Sequence, residues 1–505
     1  MQYGFAIDQR TCIGCHACTV ACKTEHEIPL GQFRTWVKYV DKGEYPATTR
    51  EFGVMRCNHC TDAPCVAICP TQALFKREDG IVDFDSERCI GCKSCMQACP
   101  YDALYIDEDT HTAAKCNFCA HRIDQGLEPA CVVVCPTESI WMGDLDDPDS
   151  GIRKFLSITP VQTRTPEQKT GPNVFYVGAS EAVLNPLAAP VDDTYIWAQP
   201  DPQRLENQDD FAVDPRTNAR TTLNTAHPRP WGWRVWTYLW TKAIASGAVL
   251  TAAILLLLVE GPNALNGAVA PVLGALFASV TGVLLIWDLK RPDRFYYLFT
   301  KPNWTSWLAL GSVVLLAFGA VISVWFLGYV LGADSLVETM AWLGVPAAVM
   351  TAGYTAFLFG QAEGRDLWQS PVLFWHLQAQ ALMAGAGAML VVAPFVGASE
   401  TTVVATAAIF AIGTGAHLLM LLVEFGGGHS TRNAEVAAHI ITHGRYARTF
   451  WFGGILLSLV ALAGGLAIAL GASVWWGVAV GLLAQVPLLA YESVFVKAAQ
   501  DVPLS

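Results

Sequence analysis

The sequence predicts an α+β head built from a duplicated, cysteine-rich unit and fused to an all-α bundle of eight transmembrane helices. Three observations predict it. All 16 cysteines of the 505-residue chain fall between Cys12 and Cys135. Only 15% of the residues are charged and 53% are hydrophobic, whereas soluble proteins average about 25% charge. The charge is also divided. Residues 1–230 hold 21 Lys and Arg against 32 Asp and Glu, a net of −11, and residues 231–505 hold 11 against 12, a net of −1. Neither part offers the basic surplus that phosphate contacts need, which excludes nucleic acid as a partner. The expected organisation is a head over 1–189, a Pro-, Asp- and Gln-rich linker over 190–230 and a membrane body over 231–505.

The head begins without a targeting signal: Met1 to Asp8 has no basic or apolar leader region and no twin arginine. Reduced cysteines on the cytoplasmic side are therefore expected rather than a disulfide scaffold. Four groups follow: Cys12-x2-Cys15-x2-Cys18-x3-Cys22; Cys57-x2-Cys60-x4-Cys65-x3-Cys69-Pro70; Cys89-x2-Cys92-x2-Cys95-x3-Cys99-Pro100; and Cys116-x2-Cys119-x11-Cys131-x3-Cys135-Pro136. Runs of C-x2-C-x2-C-x3-C-P are the bacterial ferredoxin signature, in which three thiolates hold one [4Fe–4S] cluster and the fourth reaches a neighbour. Sixteen cysteines at four per cluster give four clusters with none left over. Structural zinc uses two C-x2-C pairs rather than such runs. Cys12-Ile-Gly-Cys15-His16 matches a haem-attachment pattern, but covalent haem strands Cys18 and Cys22, and the same run recurs at Cys89 followed by Lys93.

That recurrence extends further. Asp8-x3-Cys-Ile-Gly-Cys-x2-Cys-x2-Ala-Cys22 repeats as Asp85 to Cys99, and the second and fourth groups both open on Cys-Asn and close on Cys-Pro-Thr. A duplicated ferredoxin-like module follows. Between Cys69 and Cys89, an Asp79-Gly80 turn between alternating apolar runs predicts a β-hairpin, the link found inside two-cluster ferredoxins. The second and third groups should therefore share clusters, leaving the first to pair with the fourth.

From Trp231 onward, eight apolar segments each approach the ~20 residues that cross a bilayer: 236–259, 265–287, 304–330, 336–359, 371–395, 402–424, 450–471 and 473–496. Gly385-x-Gly387 and Gly464-Gly465 suit close helix packing in lipid, and Trp231, Trp233, Trp236 and Trp240 form an aromatic belt at the first entry. Every loop that carries Lys or Arg lies on one side, including Lys290, Arg291, Arg294, Lys301, Arg365, Arg432, Arg445 and Arg448; the opposite loops carry none. By the positive-inside rule, the head and both termini face the cytoplasm from the inner membrane.

The head resembles the four-cluster electron-transfer subunit of complex iron–sulfur molybdoenzymes, the dimethyl-sulfoxide-reductase family. The body resembles the NrfD-like, polysulfide-reductase-type anchor, on its eight spans and on Lys290-Arg291-Pro292-Asp293-Arg294-Phe295 followed by Trp304-Thr305-Ser306-Trp307. Those two subunits are usually separate chains. The resemblance implies four ligand sets: Cys12, Cys15, Cys18 and Cys135; Cys116, Cys119, Cys131 and Cys22; Cys57, Cys60, Cys65 and Cys99; and Cys89, Cys92, Cys95 and Cys69. It also implies a molybdopterin-containing catalytic partner, and menaquinone or ubiquinone in the membrane.

The expected function is an electron conduit between that partner and the quinone pool, with a proton-translocating module or a passive anchor as rivals. Intramembrane ionisable groups cluster near the cytoplasmic ends, with Glu338 the main exception, which favours quinone chemistry over pumping. Six residues near that side are expected to form one quinone site. Tyr238 and Lys242 share a face of the first helix, His376 and Gln380 share one on the fifth, His417 lies on the sixth, and Asp288 closes the second. His376 ranks first as the donor to a quinone oxygen, because imidazole relays protons near neutral pH.

Overall fold

The computed structural model describes residues 1–189, 218–225 and 229–505. Most of the expected linker, 190–217 and 226–228, lies outside the described residues. Part of the remainder belongs to the head: residues 219–223 form a strand in one of its sheets.

The described residues of the head form ten strands. β1 (Tyr3–Asp8) is the centre of one three-stranded sheet, antiparallel to β8 (Ile140–Asp144) and parallel to β9 (Val174–Val177). A second sheet orders β10 (Ala219–Leu223), β2 (Thr35–Lys42) and β3 (Thr49–Arg56), all antiparallel. Two hairpins complete the set: β4 (Leu74–Lys76) with β5 (Val82–Phe84), and β6 (Leu104–Ile106) with β7 (Ala113–Lys115). The first is the hairpin predicted from Asp79-Gly80. Gly80 takes φ +80°, and the Asp79 carboxylate accepts the Ile81 N–H at 3.1 Å. Short helices carry cysteines beside these strands: α1 (Ala17–Glu25), α2 (Pro64–Ala67), α3 (Ser94–Ala98) and α5 (Ala130–Val133).

Among the described residues, eight helices are long and apolar enough to cross a membrane: Trp233–Leu258, Ala264–Asp288, Trp307–Val330, Asp334–Gly360, Leu373–Val396, Glu400–Gly426, Thr449–Ala469 and Trp476–Asp501. They are numbered as spans one to eight. Span one is the most enclosed; spans two, three and seven face mostly outward. Spans one and five touch through glycines. A Cβ on Gly247 would run into the Ala381 carbonyl, and one on Gly385 into the backbone at Gly247–Ala248. Only glycine allows that approach, and it brings polar side chains on both spans together in the interior.

The predicted third segment starts three residues early, since 304–306 are bound to the head. The predicted eighth ends five residues short. The helix continues to Asp501 because residues 497–501 are covered by the head and by neighbouring loops. There Gln500 Oε1 accepts from Gln97 at 2.7 Å and from the Trp231 N–H at 3.0 Å, and Arg365 Nε donates to Gln97 Oε1 at 2.8 Å.

Candidate functional site

The cysteine loops owe their shape to left-handed residues. Gly14 and His16 have φ of 68° and 60°, and their repeat partners Gly91 and Lys93 have 67° and 65°. Two such residues coil the Cys-x2-Cys-x2-Cys run so tightly that its three thiols face one small space. All sixteen cysteines are free thiols.

One cavity is lined by Cys12, Cys15, Cys18 and Cys135, another by Cys69, Cys89, Cys92 and Cys95. Cys22 sits within electrostatic reach of Cys116, Cys131 and Cys119. Cys65 sits likewise with Cys57, Cys99 and Cys60. In each set, three cysteines of one run lie with a fourth from a different run. Among the described residues no three Cys, His, Asp or Glu side chains converge as they would on a single ion; the thiols ring cavities instead. Burial pushes many of them up, Cys18, Cys60 and Cys92 to about 12 and Cys99 to about 11. So many crowded thiols become thiolates only with a compensating positive charge, which iron supplies. The donors to sulfur suit thiolate as well. The Ser139 N–H meets Cys135 Sγ at 3.3 Å, Arg56 Nη1 meets Cys131 Sγ at 3.3 Å, and His26 Nε2 lies 3.2 Å from Cys119 Sγ.

The four sets form a line. Cys18 interacts with Cys131, Cys116 with Cys57, and Cys95 with Cys65. One end, at the exposed Cys15, faces away from the body. The other end, at Cys92, sits on the membrane bundle. Here the residues quoted for the anchor resemblance hold the head. The Lys290 and Arg291 N–H groups donate to Gly91 O and Ile90 O at 3.1 and 3.2 Å, and Arg294 donates to Ser86 O and Cys89 O at 2.6 and 3.1 Å. Asn303 Nδ2 donates to Cys69 O at 2.8 Å, and Ser306 to Ile68 O at 2.6 Å. Trp231 Nε1 donates to Cys92 O at 3.2 Å, and Lys93 pairs with Asp288 at 2.7 Å. Burial holds Lys93 below the usual lysine range, with Asp288 opposing the shift.

Directly beneath Cys92 lies a cavity of about 630 Å³ between the first four spans. Its wall is mostly apolar; Ser94, Tyr238, Asp288 and Tyr354 are among its polar residues. The six residues expected to form one site are divided between this cavity and a second place. Tyr238 and Asp288 line the cavity. Lys242 stands behind its wall, 4.7 Å from the Tyr354 ring centroid and bonded to Thr355. His376, Gln380 and His417 do not reach it. His376 Nε2 is instead 2.9 Å from His417 Nδ1, in a buried cluster with Glu424 and Tyr491. His376, ranked first as the quinone donor, turns both ring nitrogens toward protein groups, His417 and Glu424, and away from this cavity. Tyr354, Tyr491 and Glu492 escaped sequence reasoning, although an acid inside an apolar span such as Glu492 is a signal in itself.

A line of four cysteine sets, two of them ringing cavities, that runs from the exposed Cys15 to a membrane bundle defines a membrane-anchored iron–sulfur electron-transfer protein. Residues 49–145 match the 4Fe-4S dicluster domain, and residues 221–496 match polysulphide reductase, NrfD. A tetrathionate reductase subunit of Salmonella typhimurium is 46% identical over 190 residues, covering 37% of this chain and 76% of the relative. A polysulfide reductase component of Wolinella succinogenes is 42% identical over 179 residues, 35% of this chain and 94% of its own. Thiosulfate reductase electron transfer subunit PhsB of Salmonella typhi is 44% identical over 173 residues, 34% and 88% respectively. The chain belongs to the polysulphide reductase NrfD family and joins that multi-pass anchor to an iron–sulfur electron-transfer subunit.

Proposed function

We propose that the chain passes electrons between a catalytic partner at Cys15 and membrane quinone in the cavity beneath Cys92. The observation that carries this reading is the position of the cavity, which shares Cys92 with the last set of thiols. The ligand sets are Cys12, Cys15, Cys18 and Cys135; Cys22, Cys116, Cys119 and Cys131; Cys57, Cys60, Cys65 and Cys99; and Cys69, Cys89, Cys92 and Cys95. Bound there, four [4Fe–4S] clusters supply one-electron steps at each station. The residues do the rest. Backbone N–H groups and Arg56 donate to the sulfurs, the buried sets exclude water, and the loop at Lys290–Ser306 fixes the last set against the bundle.

In the cavity, the apolar walls suit a quinone ring and tail, and Tyr238 is placed to donate to a ring oxygen. Menaquinone and ubiquinone both fit this chemistry. At the Cys15 end of the head, Ile13, Val20 and Val133 are exposed, apolar surface suited to a docked molybdopterin-type catalytic chain. The relatives, named as a reductase subunit and as an electron transfer subunit, support such a partner. A passive anchor has no need of a cavity opening onto the last cysteine set.

Mixing the cluster-loaded protein with a soluble menaquinol tests the reading. Absorbance of the iron–sulfur centres should bleach in the wild type. Tyr238→Phe, which removes one hydrogen bond worth roughly 1–3 kcal/mol to a buried acceptor, should weaken quinol binding by about 5- to 100-fold with unchanged iron content. A protein whose centres stay oxidised in quinol has no quinone site.

A further inference from the structure

The bundle interior holds ionisable side chains that the quinone cavity does not use. Lys242, His376, His417 and Glu492 are each no more than 2% exposed, and Tyr491 is 1% exposed; Glu424 is 8% exposed. Buried charges at membrane depth are costly and are kept where they do something. These side chains are also continuous. Tyr238, on the cavity wall, lies close to Thr355, which is bonded in turn to Lys242. Lys242 interacts electrostatically with Glu492, and Gln380 lies close to Glu492. The neighbouring Tyr491 donates to Glu424 Oε2 at 3.1 Å, and His376 Nδ1 lies 3.3 Å from the same oxygen. His376 Nε2 and His417 Nδ1 close the group at 2.9 Å.

Several buried atoms along the line have no protein partner: Gln380 Oε1, Glu424 Oε1 and His417 Nε2. Unpartnered buried polar atoms of this kind are the usual partners of ordered water. Glu424 lies two residues from the end of span six, on the side that carries the head. In the other direction the line stops. Beyond His417, Thr414 and Thr406 on span six each donate to a carbonyl four residues back, Phe410 O and Thr402 O.

We propose that Lys242, Glu492, Gln380, Tyr491, the His376–His417 pair and Glu424 form a proton relay joining the cavity to the membrane surface beside the head. The proposal rests on the reading of the cavity as a quinone site. Oxidation of one quinol breaks two O–H bonds. Its two electrons leave singly through the Cys92 set, and its two protons pass through Glu492 to Glu424 and the head-side water. Reduction runs the same atoms back. Electrons and protons then enter and leave on one side, so turnover moves no charge across the bilayer.

The full, cluster-loaded chain in liposomes tests this with a soluble menaquinol as donor and a dye as oxidant. Glu492→Gln and Glu424→Gln, one near each end of the line, should each slow cluster reduction at least tenfold while quinol affinity and iron content hold. Azide, a small proton carrier, should restore much of the rate, which it cannot do for a merely structural defect. A pH indicator should report protons on the head side. If one variant fails to assemble, the other carries the test. Wild-type rates in the assembled variants, slow rates that azide leaves unchanged, or protons released on the opposite side would each overturn the relay. A wild type that neither binds nor oxidises quinol instead removes the cavity reading, which separates the two failures.

Discussion

Cys69 ends one cysteine run in sequence and lines the cavity of another in space, with Cys89, Cys92 and Cys95. The exchange is possible because the β4–β5 hairpin folds the chain back within twenty residues, so Cys69 and Cys89 meet. Its sulfur also accepts the Leu74 N–H at 3.5 Å, which ties the hairpin to the site. A pairwise iron measurement settles which cysteines work together. With four clusters the wild type should hold about sixteen iron, and Cys69→Ala about twelve, by the four-cysteine stoichiometry. Adding Cys92→Ala should then cost nothing further, because both cysteines serve one cluster. Adding Cys65→Ala should lower the content to about eight, by the same stoichiometry. The opposite pattern, with Cys65 silent and Cys92 additive, would assign Cys69 to its own run.

At the scale of elements, the bundle depends on where its helices lack side chains. Gly385 of span five lies against the backbone of span one, whereas Gly415 of span six has nothing within 4 Å of the position its Cβ would take. The same substitution should therefore act in opposite senses. Gly385→Ala forces the spans apart and should cost about 1–3 kcal/mol as overpacking. Gly415→Ala should stabilise by roughly 0.5–1 kcal/mol through lower helix-interior entropy cost. Thermal unfolding of the purified protein checks both, and a destabilised Gly415→Ala would contradict the packing described. Helix existence, the hairpin and the duplicated loops were legible in sequence, because apolar length, Asp-Gly turns and cysteine spacing are local signals. The cavity was not. It is a void left by small residues such as Ala275, Gly282, Ser312 and Gly319, and a void leaves no local pattern. The relay was hidden by an end effect. With span eight ending at 496, Glu492 stands near an open rim; in the structure the helix runs on to Asp501 under the head and loops, and Glu492 is covered.

At the scale of the whole molecule, three features that could have fallen on different faces fall on one. Basic loop residues Lys290, Arg291 and Arg294 contact or bond the head. The chain end returns to the same place, where Arg164 donates to Leu504 O at 2.6 Å and Asn224 to Ser505 O at 3.0 Å. Asp501, at the end of span eight, is paired with Arg229 and Arg445 from two other segments on that face. The charges that set orientation during insertion are thus the charges that seat the head, so reversing the topology would carry the head with it. By the positive-inside rule we propose that the head faces the cytoplasm. Because Ser505 is itself buried, a tag there would disturb the junction it reports on. Gly428, exposed after span six, and Ala472, exposed between spans seven and eight, are free of that problem and lie on opposite faces. In sealed spheroplasts, an epitope inserted after Ala472 should bind antibody from outside, and one inserted after Gly428 only after the membrane is opened. Binding at Gly428 in intact spheroplasts would put the cysteine line, and the partner that meets it at Cys15, on the outer face.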